Sequence, residues 1–488
     1  MRRVLAPILS VIALGGCVVG PRYQTAATPP TANGGFVSAE PGASTAAPLP
    51  PHWWRLYDDA TLDSLVERAL TENKDLEAAA ANLAYAQAQV DEAKAGRYPS
   101  TNLSFGPSWG RSPTAAALNF PAAFAWNGGF VASYQVDLFG RIKRTIQAAR
   151  ASAEAEAALE DSTRVSVAAE TAGASAQICG LGLQVATARR NLDVAQQTYD
   201  LTVAQRNAGA LNDFDVARQA VLVEQARAAV PPLEGQRRAA LFALAALTGM
   251  TPAEIPPAIG ACQAPPTLKQ PLPVGDGAAL LRRRPDVREA ERNLAAATYR
   301  IGVATADLYP TITLGGSWGS SADSISGLFS PKNEAYGVGP TSSAVAPLIS
   351  WNFPNTLIAQ AHIHEARAQA SAQLAAFDGA VLNALKESET ALSTYATEID
   401  HRAALARARD QAELAFDLAS KQFKDGSFSS LDLLQAEATA IAAEQALAAS
   451  DQAIATDQVG VFQALGGGWE DAPKVTPPPI AGVTPKVK

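Results

Sequence analysis

The chain has 488 residues and a formal net charge of −8, which makes nucleic acid a poor candidate partner and leaves room for two or more ordinary domains. Hydrophobic residues make up 48% of it, but much of that is alanine, which favours helix and close packing over a bulky core. Outside the N-terminus no run reaches the roughly 18 apolar residues of a spanning helix, which excludes a polytopic helical membrane protein.

Arg2 and Arg3 form a basic segment, Val4 to Leu14 an apolar one, and Leu14-Gly15-Gly16-Cys17 follows. This is a secretory signal over 1–16 whose end resembles a bacterial lipobox, in which Cys17 is lipidated and becomes the first mature residue. The alternative is an ordinary signal peptide with Cys17 near its cleavage site. Val18 follows the cysteine, not Asp, which by resemblance to sorted lipoproteins points to the outer membrane. In an oxidising compartment leftover thiols commonly pair. A Cys179–Cys262 disulfide is therefore expected, two buried free thiols being the alternative.

Residues 17–51 are rich in Pro, Thr, Ala and Gly without periodicity and read as an extended, lipid-anchored tether. Structure begins at His52-Trp53-Trp54, the start of a first half spanning 52–260. A short helix opens at Asp59, with Leu62, Leu65, Val66, Ala69 and Leu70 on one face. A longer helix runs from about Asp75 to Arg97. The period then changes to two. Leu103, Phe105 and Trp109 alternate with Asn102, Ser104 and Ser108 in a strand at about 101–111. The alternation resumes at about 126–138, where Phe130, Ala132, Tyr134 and Val136 oppose Ser133 and Gln135. An edge hairpin of a soluble sandwich and a transmembrane β-barrel both give this pattern.

A proline-free stretch at about 141–209 follows. At 1.5 Å per residue such a helix is about 100 Å long, deeper than any ordinary core. A return helix covers about 213–248, where Pro231-Pro232 is expected to kink or break it. A Pro-rich connector occupies 261–275. The pattern then repeats over 276–468. Asn293-Leu294-Ala295 matches Asn82-Leu83-Ala84, and Tyr309-Pro310 matches Tyr98-Pro99. Strands are expected at about 311–320 and 336–347, a second long helix at about 354–425, and a return helix at about 430–465. A Pro-rich tail fills 469–488.

Four strands cannot close a membrane barrel, and open edges in lipid are costly. Three chains supply an even antiparallel set of twelve, within the observed range. The long helices must pack on each other in coiled-coil fashion. The expected fold is mostly α with a small β part: a trimeric α-helical barrel continued by a 12-stranded transmembrane β-barrel.

Six motifs in order carry a family resemblance: Val19-Gly20-Pro21-Arg22-Tyr23, Trp53-Trp54-Arg55-Leu56-Tyr57, Asp137-Leu138-Phe139-Gly140-Arg141, Arg283-Arg284-Pro285-Asp286-Val287, Ala306-Asp307-Leu308-Tyr309-Pro310 and Ala464-Leu465-Gly466-Gly467-Gly468-Trp469. The chain resembles the outer membrane factor family of TolC-type exit ducts, in its lipoprotein, NodT-like branch. The resemblance implies a homotrimer that docks on a periplasmic adaptor (membrane fusion) protein and an inner-membrane RND-type transporter. It implies export of drugs or other small molecules, with no enzyme activity and no cofactor. A duct for a secreted protein and a periplasmic coiled-coil scaffold are the competing readings.

The resemblance also places a closable periplasmic aperture at the helix–turn–helix tips, 205–216 and 422–433. Family members often line it with acidic residues and polar links. Here Leu211 and Phe428 stand just after the turns, which points to a partly apolar constriction able to gate by dewetting, with Asp213 and Asp425 close enough to favour cations. Packing of both apolar side chains between helices is the alternative. Asn212 with Asp215, and Ser429 with Asp432, have the spacing of helix caps. His362 and His364, two apart on a helix, point to different faces and make no metal site.

Overall fold

The computed structural model describes residues 18–111, 119, 121–329 and 341–478. The signal segment, Cys17 and the last ten residues of the tail lie outside the described residues. Two compact units are formed, one from the stretches up to Ala26, Ala84–Ala155 and Ala290–Phe377, the other from Ala27–Leu83, Glu156–Glu289 and the stretch from Asp378 onward. The α-helices longer than one turn among the described residues are α1 (Ala60–Glu72), α2 (Lys74–Ala95), α3 (Arg141–Asn207), α4 (Asp213–Leu247), α5 (Gly277–Arg283), α6 (Pro285–Ala306), α7 (Leu357–Lys424) and α8 (Ser430–Ala464).

The first unit holds one antiparallel sheet of β1 (Ser100–Gly110), β2 (Ala123–Val136), β3 (Thr311–Ala322) and β4 (Thr341–Ser350), in the order β1-β2-β3-β4. The β2–β3 pairing, Phe130 opposite Trp318, joins the hairpins of the two halves. β4 runs to Ser350 rather than stopping near Pro347, and residues 336–340 of the expected strand lie outside the described ones. Proline ends a central strand but is tolerated at an edge, where no ladder hydrogen bond need be lost. Both strand prolines, Pro107 and Pro347, lie on the edge strands β1 and β4.

In the second unit, the expected stripe of α1 is the buried one: Leu62, Leu65, Val66, Ala69 and Leu70. It packs with Trp53, Trp54, Phe462 and Leu392 in one cluster. Trp53 stacks on Phe462 at 4.5 Å between centroids. Residues 27–51 carry little regular structure yet do not hang free. Phe36 and Leu49 join the same cluster, the Val37 and Ser38 amides donate to Glu389 at 2.8 Å, and Ser44–Thr45 pairs with Leu272–Pro273. Their composition suppresses periodic structure but leaves backbone donors and two bulky anchors, enough to strap the segment down.

Helix α3 has 67 residues and α7 has 68. Each is Ala-rich and free of proline, so propensity accumulates along its length. The buried side of α3 is mostly alanine, from Ala148 to Ala176, and such small side chains let helix axes approach closely. Helix α4 continues through Pro231 and Pro232. The carbonyls these prolines leave unpaired belong to Arg227 and Ala228. Both residues are exposed, so water can satisfy them and the helix need not stop. Cys179 of α3 and Cys262 are joined by a disulfide, which pins the connector to the long helix.

Candidate functional site

The sheet separates two chemistries. Directly opposed residues share a face, so the register assigns every side chain. One face carries Leu103, Phe105, Trp109, Phe124, Trp126, Phe130, Tyr134, Leu314, Trp318, Val345 and Ile349; the other carries Asn102, Ser104, Ser108, Asn127, Ser133, Gln135, Thr313, Ser317 and Ser342. Val131 and Leu348 are the bulky exceptions on the polar face. Leu103 is 78% exposed, Trp109 73% and Val345 91%. A water-facing sheet would leave this aromatic face unsatisfied; a lipid-facing one would not.

At the tips, α3 ends in a Schellman motif. The Gly209 amide donates to Arg206 O and the Ala210 amide to Gln205 O. Gly209 sits at φ +79, a conformation that disfavours any side chain. Asn212 then caps α4, accepting from the Phe214 and Asp215 amides, and Asp215 returns to the Asn212 amide. The second tip repeats the device. Gly426 and Ser427 donate to Phe423 O and Gln422 O, Gly426 sits at φ +73, and Ser429 accepts from the Asp432 amide at 3.2 Å. Here the Asp432 carboxylate accepts from the Ser429 hydroxyl at 2.5 Å rather than from the backbone.

Leu211 is half-buried and packs, with Leu201, against the cluster of Ala419, Phe423 and Leu433. Phe428 remains 37% exposed. The two residues paired in the sequence reading are thus placed differently, one between helices and one at the surface. Asp213 pairs with Arg206 at 2.7 Å in an exposed ion pair. Among the described residues no side chain engages the Asp425 carboxylate.

Three polar links tie the two tips within the chain. The Ser430 hydroxyl donates to Asp215 at 2.6 Å. Gln205 Nε2 donates to Phe423 O at 3.3 Å. Gln219 Nε2 donates to Glu437 at 2.8 Å, with both side chains buried. Burial pushes the Glu437 carboxyl up from its ordinary value, and the hydrogen bond from Gln219 pulls it back. Sequence reasoning missed these links. The available signal was a polar residue on an apolar stripe: Gln219 sits between Val216 and Val223, and Glu437 one turn after Leu433. Phe214, 68% exposed beneath the Arg218 guanidinium, was missed too.

No group of three or more metal-ligating side chains occurs among the described residues. His362 faces Asp307 at 3.7 Å. The features that stand out are an amphipathic sheet in the first unit and a pair of linked tips in the second.

Known proteins resemble the chain over nearly its whole length. Over 476 residues the chain is 30% identical to the pyoverdine export outer membrane protein OpmQ of Pseudomonas aeruginosa, covering 96% of this chain and 97% of that protein. It is 28% identical to nodulation protein T of Rhizobium leguminosarum bv. viciae over 491 residues, 98% of this chain and 95% of that one. Among solved structures, the outer-membrane channel OprN superposes with a TM-score of 0.84 at 33% identity, covering 93% of this chain and 100% of that one. The family model described as outer membrane efflux protein matches residues 65–250 and 278–467. The chain therefore belongs to the outer membrane efflux protein family and is an outer-membrane efflux channel.

Proposed function

We propose that three copies form the exit duct of a tripartite pump, a passive conduit anchored by a lipidated Cys17 and gated at its helical tips. The observation that carries this is the four-stranded sheet with an apolar face and two unpaired edges, β1 and β4. Unpaired backbone in lipid costs several kcal/mol per group. Pairing β4 of one copy with β1 of the next keeps every neighbour antiparallel, and three copies reach the twelve strands of an ordinary barrel. Exposed Leu374, Leu382, Leu414 and Leu418 on α7 are the seams along which neighbouring helices would pack.

A periplasmic adaptor and an inner-membrane RND-type transporter are the partners this reading requires, since a passive duct has no energy source of its own. Small molecules are the favoured cargo. Similar proteins bear names that specify pyoverdine export and cation efflux. The duct performs no chemistry. A protein-secretion duct is the second reading. At the aperture, Phe428 would provide the apolar constriction and Leu211 its packed support, with Asp425 the exposed charge beside them.

Single-particle imaging of detergent-extracted protein, paired with conductance in planar bilayers, tests this. A three-fold particle that conducts is expected. A non-conducting monomer would remove the duct and favour a periplasmic scaffold.

A further inference from the structure

The motif Val19-Gly20-Pro21-Arg22-Tyr23 is held against the first unit by several close contacts. The Val19 amide donates to Phe139 O at 3.1 Å. Arg144, buried near the start of α3, donates to Val19 O and Gly20 O, each at 3.1 Å. A Cβ on Gly20 would lie 2.4 Å from Gly302 Cα, so the backbone of the segment rests directly on α6. The residue that follows Cys17 is thereby fixed in space.

Beside this clamp lies an open cavity of about 690 Å³, lined by Arg22, Lys143 and Arg144 together with Tyr23, Gln147 and Tyr299. Three cations line it and no carboxylate does. The acidic groups nearby are engaged elsewhere. Asp137 accepts the Ile142 and Lys143 amides at 3.1 and 2.9 Å. Glu291 accepts from the Tyr23 hydroxyl and from Arg292. Asp307 holds Arg141. Burial, and then the like charge of Arg22, push the Arg144 guanidinium below its ordinary value, a repulsion that a bound anion would relieve.

The cavity's level relative to the sheet names the anion. Phe139 stacks on Tyr309 at 4.5 Å, between the end of β2 and the start of β3. Trp351 stacks on Phe353 at 4.6 Å just after β4. Rings gathered at one end of a membrane sheet mark the interface, the depth of lipid phosphates. Guanidinium and ammonium groups there suit a phosphodiester.

We propose that Arg22, Lys143 and Arg144 form a site for the phosphate of a phospholipid headgroup, a non-covalent membrane anchor. This rests on the reading that the sheet lies in the membrane. The site would hold the protomer's base in the periplasmic leaflet and fix the depth of the sheet.

The test uses full-length protein in mild detergent, offered dioctanoyl phosphatidylglycerol, dioctanoylglycerol or inorganic phosphate and weighed by native mass spectrometry. Wild type should retain the phospholipid, and dioctanoylglycerol should not stay bound. The double variant Arg22→Gln/Lys143→Gln should lose retention on the order of tenfold, from two cations removed at a membrane surface. Arg22→Lys/Lys143→Arg should keep it, which separates charge from folding. Equal retention by wild type and the Gln variant, or retention of dioctanoylglycerol, would overturn the site. Inorganic phosphate binding without any lipid adduct would overturn the lipid as occupant. Conductance of the Gln variant should match wild type. A wild type that retains lipid but does not conduct would sink the duct and leave the site standing.

Discussion

Single residues at the tips divide into packed ones and exposed ones. Leu211 is packed on Phe423 and Leu433, so Leu211→Ala should lower stability by roughly 1–2 kcal/mol, less than a fully buried leucine loses. Phe428 is partly exposed, so Phe428→Ala should cost less stability and instead raise leak conductance in planar bilayers. An equal leak from Phe428→Ala and wild type would count against an apolar gate. Glu437 makes a separate prediction about pH. Its Oε1 has no hydrogen-bond partner, and burial raises its pKa. A raised carboxyl favours the protonated form in the fold. That contribution is complete below the unfolded pKa and is lost as pH rises through the folded one. Glu437→Gln keeps an acceptor for Gln219 and carries no charge. It should melt higher than wild type at about pH 8, with the gap narrowing toward about pH 5. A gap independent of pH would show that the carboxyl is not neutralised by folding.

At the scale of elements, each tip is closed by a Schellman turn and an N-cap, and the two tips are joined by Ser430 and Asp215. Asp215 serves both its own cap and this link. A double-mutant cycle with Asp215→Asn and Ser430→Ala should therefore show a coupling of about 0.5–1.5 kcal/mol in thermal unfolding. Additive effects would mean that the link contributes nothing. The caps were legible in the sequence because Asn212 and Asp215, or Ser429 and Asp432, lie three apart and the motif is local. The link was not, because it joins residues 215 apart in sequence and no periodicity records such a contact. The same division holds elsewhere. The long helices and the alternating strands follow from patterns within a few residues. β4 extends to Ser350, past the expected end at about 347, because an edge strand can carry Pro347 without losing a ladder hydrogen bond. The strapping of 27–51 rests on two scattered anchors, Phe36 and Leu49, that a composition-based reading passes over.

At the scale of the whole molecule, the decisive property is the sidedness of the sheet. Ser317 and Trp318 are neighbours in β3 and must point to opposite faces. Trp318 stands opposite Phe130, and Ser317 opposite Val131 and Ala344. If lipid covers the aromatic face, Trp318→Arg places a guanidinium in hydrocarbon, at a cost of up to about 2–4 kcal/mol near the midplane. In the proposed trimer that cost would recur three times around the barrel. In the same proposed trimer, Ser317→Arg would instead add three charges to the lumen, where water solvates them. Trp318→Arg should therefore deplete assembled protein from purified outer membranes. Ser317→Arg should assemble normally and lower cation conductance in planar bilayers. The reverse pattern would put the aromatic face inside. Tolerance of both would remove the sheet from the membrane, since only a solvated sheet accepts arginine equally on its two sides.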